Sequence, residues 1–582
     1  MKLGGGAIVV RALEDEGIGF AFGIPGTHNI ELYDALAETK QVRTVLVTDE
    51  QSASFMADGV WRASGAMACA NVVPGAGLTH AMSGIGEAFL DNVPMLVLGC
   101  GIRRDTLKAF QLHDVDQQTI ARAVTKGQFR PQDGLELYAT IRRACALARE
   151  GAPGPVFVEV PANLYLFQHD FEEPGSGIRG PGSVPGRADP GPTPDPDSLT
   201  RAVVLLGRAK RPLLYVGAGA AAAGEKLVAL AERLEAPVAT TFQGKGVFPE
   251  THPLALWPGF GAAAPPFARQ TADRCDATLA IGCRFGEVAT GSYGLAVPRP
   301  LIHADIDPDV IGRNYPADSA VVADARLVVD ALLEALPPRP RDDALRAAIR
   351  AGHEAVEREW EGTATTGRVS PFRLLSALQA RFGPETIFTA DSGNGTFLAM
   401  EMLRLERPRK FLAPVDYSCM GYAVPSAIGA KLARPECPVV ALAGDGAFLM
   451  TGLELLTAAH QGAAVAVFVL RDGELAQIAQ FQDVALSRRT ASEVPSYALA
   501  DISRGLGVEC LALERDEQIA QVLDRVAAIT AAGKPVVVDT AIDYSGKTYF
   551  TRGVVKTTLL RLPWLDRLRF VGRALTRKVT AR

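Results

Sequence analysis

The amino-acid sequence predicts an α/β protein of three doubly wound parallel-sheet domains followed by a basic amphipathic tail. Short apolar strand patterns alternate with helical patterns through most of the 582 residues, which is typical of parallel sheets covered by helices. Pro-rich breaks near Pro174 and Pro337 interrupt this alternation. A chain of this length also exceeds what one hydrophobic core supports, so about three or four domains are expected.

The breaks set the expected domain limits. We expect a first domain at 1–172, a linker at 173–196 and a central domain at 197–336. A linker helix at 337–364, a third domain at 365–545 and the tail at 546–582 follow. In the first domain a helix is predicted over 7–16, with strands at 20–22, 44–47, 95–98 and 156–160. The first and third domains are predicted to have similar α/β patterns, with the central domain between them in the sequence.

The central domain has predicted strands at 212–216, 277–282 and 301–307. Its turn Gly217-Ala218-Gly219 matches only part of a dinucleotide-binding motif, and a plain turn between a strand and a helix is the preferred interpretation. A charged helix is predicted over 343–361.

Composition narrows the class of protein. Hydrophobic residues make up 48% and charged residues 21%, as in a soluble enzyme, and the net charge of −5 provides no general attraction to nucleic acid. The eight cysteines form no CxxC pair, which favours reduced thiols and a cytoplasmic location. We expect neither a signal peptide nor a membrane-spanning helix.

The most informative motif is Gly444-Asp445-Gly446, which follows a predicted buried strand at 439–443. A second strand at 465–470 precedes Asp472, which lies 27 positions after Asp445. Parallel neighbouring strands would present both carboxylates at one sheet edge. The glycine turn and helix N-terminus leave room for a phosphate, and two hard oxygen ligands beside a diphosphate favour Mg²⁺.

Glu50 is the candidate from the first domain. It follows a predicted strand and begins a helix, so an apolar pocket there would suit it to share a proton with a ring nitrogen. A negative charge that stabilises the helix N-terminus explains the same position, and both interpretations remain open.

Several ordered motifs now point to a family. They are Gly23-Ile24-Pro25-Gly26, Asp49-Glu50-Gln51, Ala109-Phe110-Gln111, Gly282-Cys283-Arg284-Phe285, Met420-Gly421-Tyr422 and Gly444-Asp445-Gly446. Together they resemble the acetohydroxyacid synthase branch of the thiamine diphosphate (ThDP)-dependent decarboxylase superfamily, over nearly the entire chain. The resemblance implies the ThDP-enzyme fold, ThDP and Mg²⁺ as cofactors, and a site shared between subunits of a homodimer or homotetramer.

The resemblance also implies residue roles. Glu50 would activate ThDP, Met420 would support its bent form, and the Ser418 carbonyl would accept from its amino group. The cofactor would further contact Gly26, Ser392, Asn394, Gly395, Thr396, Gly444, Gly446 and Ala447. Asp445, Asp472 and the main-chain carbonyl of Glu474 would hold Mg²⁺. Phe110, Gln111 and Arg284 would face the 2-keto acid, although a surface salt bridge also explains Arg284.

Four positions depart from the family pattern. Asp49 replaces the usual His, Asp472 replaces the usual Asn, and Phe481 leaves the acceptor preference open. His28 is a histidine that the synthases mostly lack, and it is either a proton relay or a loop residue bonded to backbone. The sequence-adjacent histidine pair of pyruvate decarboxylases is absent.

The leading hypothesis is a carboligase that decarboxylates a 2-keto acid, with pyruvate as the expected donor, and joins the product to a second carbonyl compound. A simple 2-keto acid decarboxylase, a benzaldehyde-lyase-like enzyme and a non-catalytic homologue are the alternatives. FAD is not expected, because residues 260–269 match flavin-bearing relatives poorly.

The tail carries ten basic residues and one acid over 547–582, and from Trp564 its apolar residues recur at helical spacing. The preferred interpretation is that the tail forms a helix that covers this subunit or its neighbour. Peripheral contact with an anionic membrane is the alternative, since a relative, pyruvate oxidase, uses its C-terminal segment in that way.

Overall fold

The computed structural model describes residues 1–172, 191–363 and 365–580. Three parallel six-stranded sheets follow one another along the chain, which confirms the predicted α/β class. Most of the predicted linker at 173–196 lies outside the described residues. The exact domain limits stay predictions.

The N-terminal elements run from β1 to β8. In chain order they are β1 Lys2–Gly4, α1 Gly5–Asp15, β2 Phe20–Gly23, α2 Ile30–Glu38, β3 Arg43–Leu46, α3 Glu50–Ser64, β4 Cys69–Val72, α4 Ala76–Leu90, β5 Met95–Gly101, α5 Gln117–Arg122, β6 Gly127–Phe129, α6 Leu137–Arg149, β7 Pro155–Pro161, α7 Ala162–Leu166 and β8 Gln168–Asp170.

The central elements end in the long charged helix that the sequence predicts. They are α8 Pro196–Arg208, β9 Pro212–Val216, α9 Gly224–Leu234, β10 Val238–Thr240, β11 Ala255–Pro258, α10 Pro266–Ala272, β12 Ala277–Ile281, β13 Leu301–Asp305, β14 Ser319–Val322, α11 Ala325–Ala335 and α12 Asp343–Glu361. A 3₁₀ turn at Ala218–Ala223 follows β9, so Gly217-Ala218-Gly219 leads from a strand into a helical segment.

The C-terminal elements carry the glycine and carboxylate motif. They are α13 Pro371–Phe382, β15 Ile387–Ala390, α14 Asn394–Met402, β16 Phe411–Leu412, α15 Ala423–Ala433, β17 Val439–Gly444, α16 Asp445–Thr451, α17 Leu455–Gln461, β18 Ala466–Arg471, α18 Ala476–Leu486, α19 Leu499–Gly505, β19 Glu509–Leu513, α20 Ile519–Ala531, β20 Val536–Ala541, α21 Tyr549–Arg561 and α22 Trp564–Thr580.

The first and third sheets have the same topology. Their strand orders are β3-β2-β4-β5-β7-β6 and β16-β15-β17-β18-β20-β19, which are the same permutation of six consecutive strands. The central sheet has the order β11-β10-β9-β12-β13-β14, the arrangement of dinucleotide-binding folds. The expected matched pair around a different middle unit is therefore present.

Helices α3 and α15 hold the first and third sheets together. A Cβ on Gly59 would lie 2.3 Å from the Ser426 carbonyl oxygen, and one on Gly429 would lie 2.1 Å from that of Met56. The pairing of Gly59 with Ser426 and of Met56 with Gly429 shows that the helices run antiparallel. Residues of both sheets share one hydrophobic core around this contact.

A buried guanidinium strengthens the same junction. Arg62 donates to Asp58 at 2.7 Å and to Asp91 at 2.8 Å, and it also reaches Gln243 of the central unit at 3.2 Å. Tyr422 donates to Asp58 from the third unit. Because all three units supply partners, loss of Arg62 would leave several buried acids without a counter-charge.

The predicted tail divides into two different helices. Helix α21 is packed against the central unit, since a Cβ on Gly553 would lie 2.3 Å from the Ala262 carbonyl oxygen and Arg561 donates to the Ser292 carbonyl at 3.0 Å. Helix α22 lies against α18. Among the described residues, no helix has the length and apolarity needed to cross a bilayer.

The close helix contact generates a stability prediction. Gly429→Ala should lower the thermal unfolding midpoint and cost about 1–3 kcal/mol, because the new Cβ meets main-chain atoms that cannot simply rotate away. Gly207→Ala is the matched control in helix α8, where a Cβ meets nothing within 4 Å. The control should be neutral or slightly stabilising, and equal midpoints for the two variants would contradict the packing account.

Candidate functional site

The carboxyl edge of the third sheet brings Asp445 and Asp472 together. Strands β17 and β18 are parallel neighbours with Gly444 opposite Leu470, which confirms the predicted adjacency. Asp445 accepts from the main-chain nitrogens of Gly446 and Gly473, both at 2.8 Å. These bonds orient the Asp445 carboxylate across the gap between the two strands.

The edge concentrates negative charge in a partly buried place. Burial raises the pKa of Asp445. Burial and the neighbouring charge of Asp445 raise the pKa of Asp472 to about 7. A cation would relieve this repulsion, and carboxylates are ligands that Mg²⁺ prefers. The Glu474 side chain pairs with Arg489, so its predicted contribution stays that of its main-chain carbonyl.

Gly446 is needed for space and not for an unusual backbone conformation. Gly444 has a φ of −68°, and Gly446 and Ala447 lie in the first turn of α16. A Cβ on Gly446 would lie 2.8 Å from the Leu475 side chain and 3.8 Å from the Met420 methyl group. The structure therefore places Met420 beside the glycine turn, as the resemblance implies.

The remaining predicted cofactor contacts gather at the same edge. The Ser392 and Ser418 hydroxyls lie 2.6 Å apart, and Ser418 has a positive φ of 68°. Asn394, Gly395 and Thr396 form the first turn of α14, which directs main-chain N–H groups towards the edge. The Thr396 hydroxyl donates to the Asp391 carbonyl at 2.7 Å.

Asp391 is a buried carboxylate that sequence reasoning missed. It follows β15 and accepts from the Ala423 main-chain nitrogen at 2.9 Å, so it fixes the N-terminus of α15 next to Ser392. Burial raises the pKa of Asp391 to about 7, although hydrogen bonds from main-chain N–H groups lower it in part. No sequence motif distinguishes it from an ordinary acid at a strand end.

Glu50 belongs to a second cluster, on the first sheet. It is the first residue of α3 and is only 7% exposed, so it is both a helix-start charge and a buried acid. Asp49 caps the helix by accepting from the Gln51 nitrogen at 2.7 Å. His80, also missed from sequence, lies 3.4 Å from Asp49 and 3.7 Å from Glu50. A Cβ on Gly77 would lie 2.8 Å from the Glu50 carboxylate.

The other predicted residues of the first domain lie on the loops after β2 and β5. Gly26 is so close to Val73 that a Cβ would lie 2.6 Å from that side chain. Phe110 is fully exposed on the loop after β5 with a φ of 58°, and the Gln111 amide donates to the Lys108 carbonyl at 3.1 Å. His28 lies beside His113, with ring centroids 5.4 Å apart.

Arg284 is anchored on the third-domain cluster. Its guanidinium donates to Asp416 at 2.7 Å, two residues before Ser418. The pair is partly buried, and a substrate-facing role for Arg284 stays a prediction. The predicted substrate-facing residues are divided, with Phe110 and Gln111 on the loop after β5 and Arg284 bonded to Asp416 of the third domain.

One chain therefore presents two half-sites. The antiparallel packing of α3 and α15 places Glu50 at one end of the helix pair, whereas Tyr422 bonds Asp58 further along α3. The eight residues from Glu50 to Asp58 correspond to about 12 Å of helix. We call the Glu50 cluster the acid half-site and the Asp445 cluster the metal half-site.

A carboxylate edge, a glycine turn, a helix start and a supporting methionine fit a diphosphate-bearing cofactor held through a divalent ion. The chain is a ThDP-dependent enzyme, and comparison with known proteins supports this class. Three family models match: "Thiamine pyrophosphate enzyme, N-terminal TPP binding domain" at residues 3–120, the corresponding central domain at 199–332, and the corresponding C-terminal TPP binding domain at 391–540.

The chain belongs to the thiamine pyrophosphate enzyme family. The acetolactate synthase large subunit of Mycobacterium tuberculosis is 32% identical over 92% of this chain and 88% of its own length. The acetolactate synthase isozyme 3 large subunit of Escherichia coli is 30% identical over 94% of this chain and 96% of its own. A probable acetolactate synthase large subunit of Methanocaldococcus jannaschii is 30% identical over 93% and 92%.

The pKa of Asp391 predicts a pH-dependent stability. An unfolded aspartate titrates near 3.8, so folding favours the protonated form, and this stabilisation is lost as the pH rises through about 7. Asp391→Asn keeps an acceptor oxygen but cannot ionise. The unfolding midpoint of Asp391→Asn, relative to that of the wild type, should increase as the pH rises from about 4 to 8. Asp197→Asn, at an exposed position, should show the same pH dependence as the wild type. Parallel curves for Asp391→Asn and the wild type would exclude the buried carboxylate as the cause.

Proposed function

We propose that the chain is a ThDP- and Mg²⁺-dependent carboligase of the acetolactate synthase type. It would decarboxylate a 2-keto acid, with pyruvate as the donor, and join the product to a second carbonyl compound. The observation that carries the proposal is the pair of half-sites, each with the residues that the family places around ThDP. The three relatives described above, which match 92–94% of the chain, are named as acetolactate synthase large subunits.

The separation of the half-sites supports an assembly of at least two chains. The acid half-site of one subunit would meet the metal half-site of another. An exposed apolar patch on α16, the following 3₁₀ turn and α17 supports such an interface, because contiguous apolar surface of this kind marks contact sites. Its residues are Leu449, Met450, Leu453 and Leu456, each at least half exposed. A dimer is the minimum, and the sequence and structure leave a tetramer open.

Bound ThDP would supply the electron sink for decarboxylation. Glu50 would hold a proton against a ring nitrogen from its buried position at the start of α3. Met420 and Gly446 would define the space for the cofactor, and the Ser418 carbonyl would accept from its amino group. Asp445, Asp472 and the Glu474 carbonyl would hold the divalent ion.

Substrate contacts would come from both subunits. Arg284 bonds Asp416 through one guanidinium N–H group. Another N–H group of the same guanidinium would donate to the substrate carboxylate. Phe110 and Gln111 would approach from the loop of the neighbouring acid half-site, where Phe110 is exposed in one chain. This arrangement explains why a partner subunit would complete the substrate pocket as well as the cofactor site.

Asp472 generates a prediction about the metal. The second carboxylate repels a diphosphate unless a cation intervenes, so ThDP binding by the wild type should depend steeply on Mg²⁺. Asp472→Asn removes that repulsion and should bind ThDP at lower Mg²⁺ concentration. Titration calorimetry of ThDP at several Mg²⁺ concentrations measures this, with Asp501→Asn at an exposed position of α19 as the matched control. Wild-type binding that is independent of Mg²⁺ would refute the proposed metal role.

Product analysis with pyruvate alone tests the proposed function. Acetolactate is the expected product, acetaldehyde would indicate a simple decarboxylase, and neither product would favour a lyase acting on 2-hydroxyketones. Glu50→Gln should lose turnover by about 100-fold or more while it stays folded, and Glu38→Gln is the exposed control. No turnover across a broad keto-acid panel with ThDP and Mg²⁺ would favour a non-catalytic homologue.

We extend the proposal to a flavin-independent reaction. A dinucleotide would lie at the switch point between β9 and β12 in a sheet of this order. There a Cβ on Gly217 would lie 2.0 Å from the Gly282 carbonyl oxygen, and the rings of Tyr215, Phe260 and Phe285 pack together. This close packing supports a colourless protein, which its visible absorption spectrum would reveal.

For the tail, the docking of α21 supports a covering role on this subunit. Membrane-surface contact is the second candidate, because Trp564, Leu565 and Leu568 of α22 are each more than half exposed. The test compares pelleting with anionic vesicles for the full-length chain and for a chain truncated after Pro563. Pelleting of the full-length chain alone would support membrane contact through α22. A cytoplasmic location stays a prediction.

A further inference from the structure

Two histidines that are far apart in sequence meet at the edge of the acid half-site. His28 follows β2 and His113 lies in the loop after β5. Their ring centroids are 5.4 Å apart and their planes meet edge to face at 76°. Sequence inspection finds no adjacent histidine pair, but the fold creates one in space.

The pair surrounds the same turn as Glu50. A Cβ on Gly75 would lie 3.9 Å from the His113 side chain, and a Cβ on Gly77 would lie 2.8 Å from the Glu50 carboxylate. Gly26, two residues before His28, contacts Val73 in this turn. Glu50 and His113 thus face one turn at the carboxyl edge of the first sheet, and His28 lies against His113.

The backbone holds both rings in place. The Cys100 thiol donates to the His28 carbonyl, and the Thr27 hydroxyl lies 3.1 Å from His28 Nδ1. His113 has a φ of 65°, a conformation that non-glycine residues adopt rarely and that concentrates at functional sites. Both side chains are only partly buried, so each stays accessible to a substrate.

The electrostatics favour one proton on the pair. Burial lowers the pKa of His28, and the charge of His113 lowers it further. The other titratable groups nearby are the Cys100 thiol, whose pKa burial raises, and the exposed Asp114 and Asp116 carboxylates of the His113 loop. A positive charge on His113 therefore disfavours a second proton on His28.

The proposed carboligation requires such a proton. Two pyruvate anions and one proton give one acetolactate anion and CO₂. When the donor-derived carbon bonds to the acceptor carbonyl carbon, the π electron pair of that carbonyl moves to its oxygen, and this oxygen must take up a proton. Glu50 is engaged with the cofactor in the proposed function, so another acid has to serve the acceptor.

We propose that His28 and His113 form a one-proton acid pair that protonates the acceptor carbonyl oxygen as the new C–C bond forms. The imidazolium N–H bond breaks, its electron pair returns to the ring, and water restores the proton. This inference rests on the proposed function and assigns His113 a catalytic role in its acceptor half. Decarboxylation of the donor does not use the pair.

The test separates the two halves of the reaction. Donor decarboxylation is followed with ferricyanide as an artificial electron acceptor, and ligation is followed as acetolactate. His113→Gln and His28→Gln should lose ligation by about 100-fold with little change in the ferricyanide rate. Imidazole added to His113→Ala should restore ligation. His252→Gln is the matched control in the central unit, and it should leave both rates unchanged.

A second measurement keeps the inference falsifiable without turnover. With ¹³C-labelled histidine, NMR of the cofactor-free protein should show that His113→Gln raises the pKa of His28. The inference is overturned if ligation and ferricyanide reduction fall together, if neither falls, or if His28 titrates identically in both proteins. Absence of ferricyanide reduction in the wild type would instead refute the proposed function.

Discussion

The antiparallel contact between α3 and α15 is the constraint on which the rest of the molecule depends. Gly59 and Gly429 allow the two backbones to approach within distances that no Cβ would permit. Arg62 and Tyr422 then share Asp58 across the contact. Because the helix directions are opposite, Glu50 at the start of α3 and Met420 before α15 lie towards opposite ends of the helix pair. In the proposed function, this geometry is the reason that a second chain is needed to complete a site.

Each half-site is organised around carboxylates with different surroundings. Asp445 and Asp472 share a sheet edge where burial and repulsion favour a cation. Asp391 is buried among main-chain N–H groups and accepts from the N-terminus of α15. Glu50 begins a helix beside a glycine that leaves it space. The proposed function therefore assigns similar side chains to different roles, as metal ligand, structural anchor and proton carrier.

The sequence was sufficient for features that depend on local pattern. Strand periodicity located β17 and β18, and their parallel pairing follows from the short helical connection, so the Asp445 and Asp472 edge could be anticipated. The charged helix α12 was also found within its true limits. Such elements depend on nearby residues, and local patterns encode them well.

Contacts between distant segments were beyond the sequence. Nothing near His113 signals that His28 lies 5.4 Å away, since the pair exists only because β2 and β5 flank β4 in the first sheet. The bond between Arg284 and Asp416 likewise joins two domains. The tail was predicted as one amphipathic unit, whereas α21 docks on the central unit through Gly553, which composition could not reveal.

Complementation between two inactive variants tests the central claim most directly. Glu50→Gln chains and Asp445→Asn chains should each form inactive assemblies. When they are unfolded and reassembled together, each mixed dimer gains one site with both native halves, so roughly one quarter of wild-type turnover should return after random pairing. A mixture as inactive as its components, despite proven exchange of subunits, would contradict a site shared between chains.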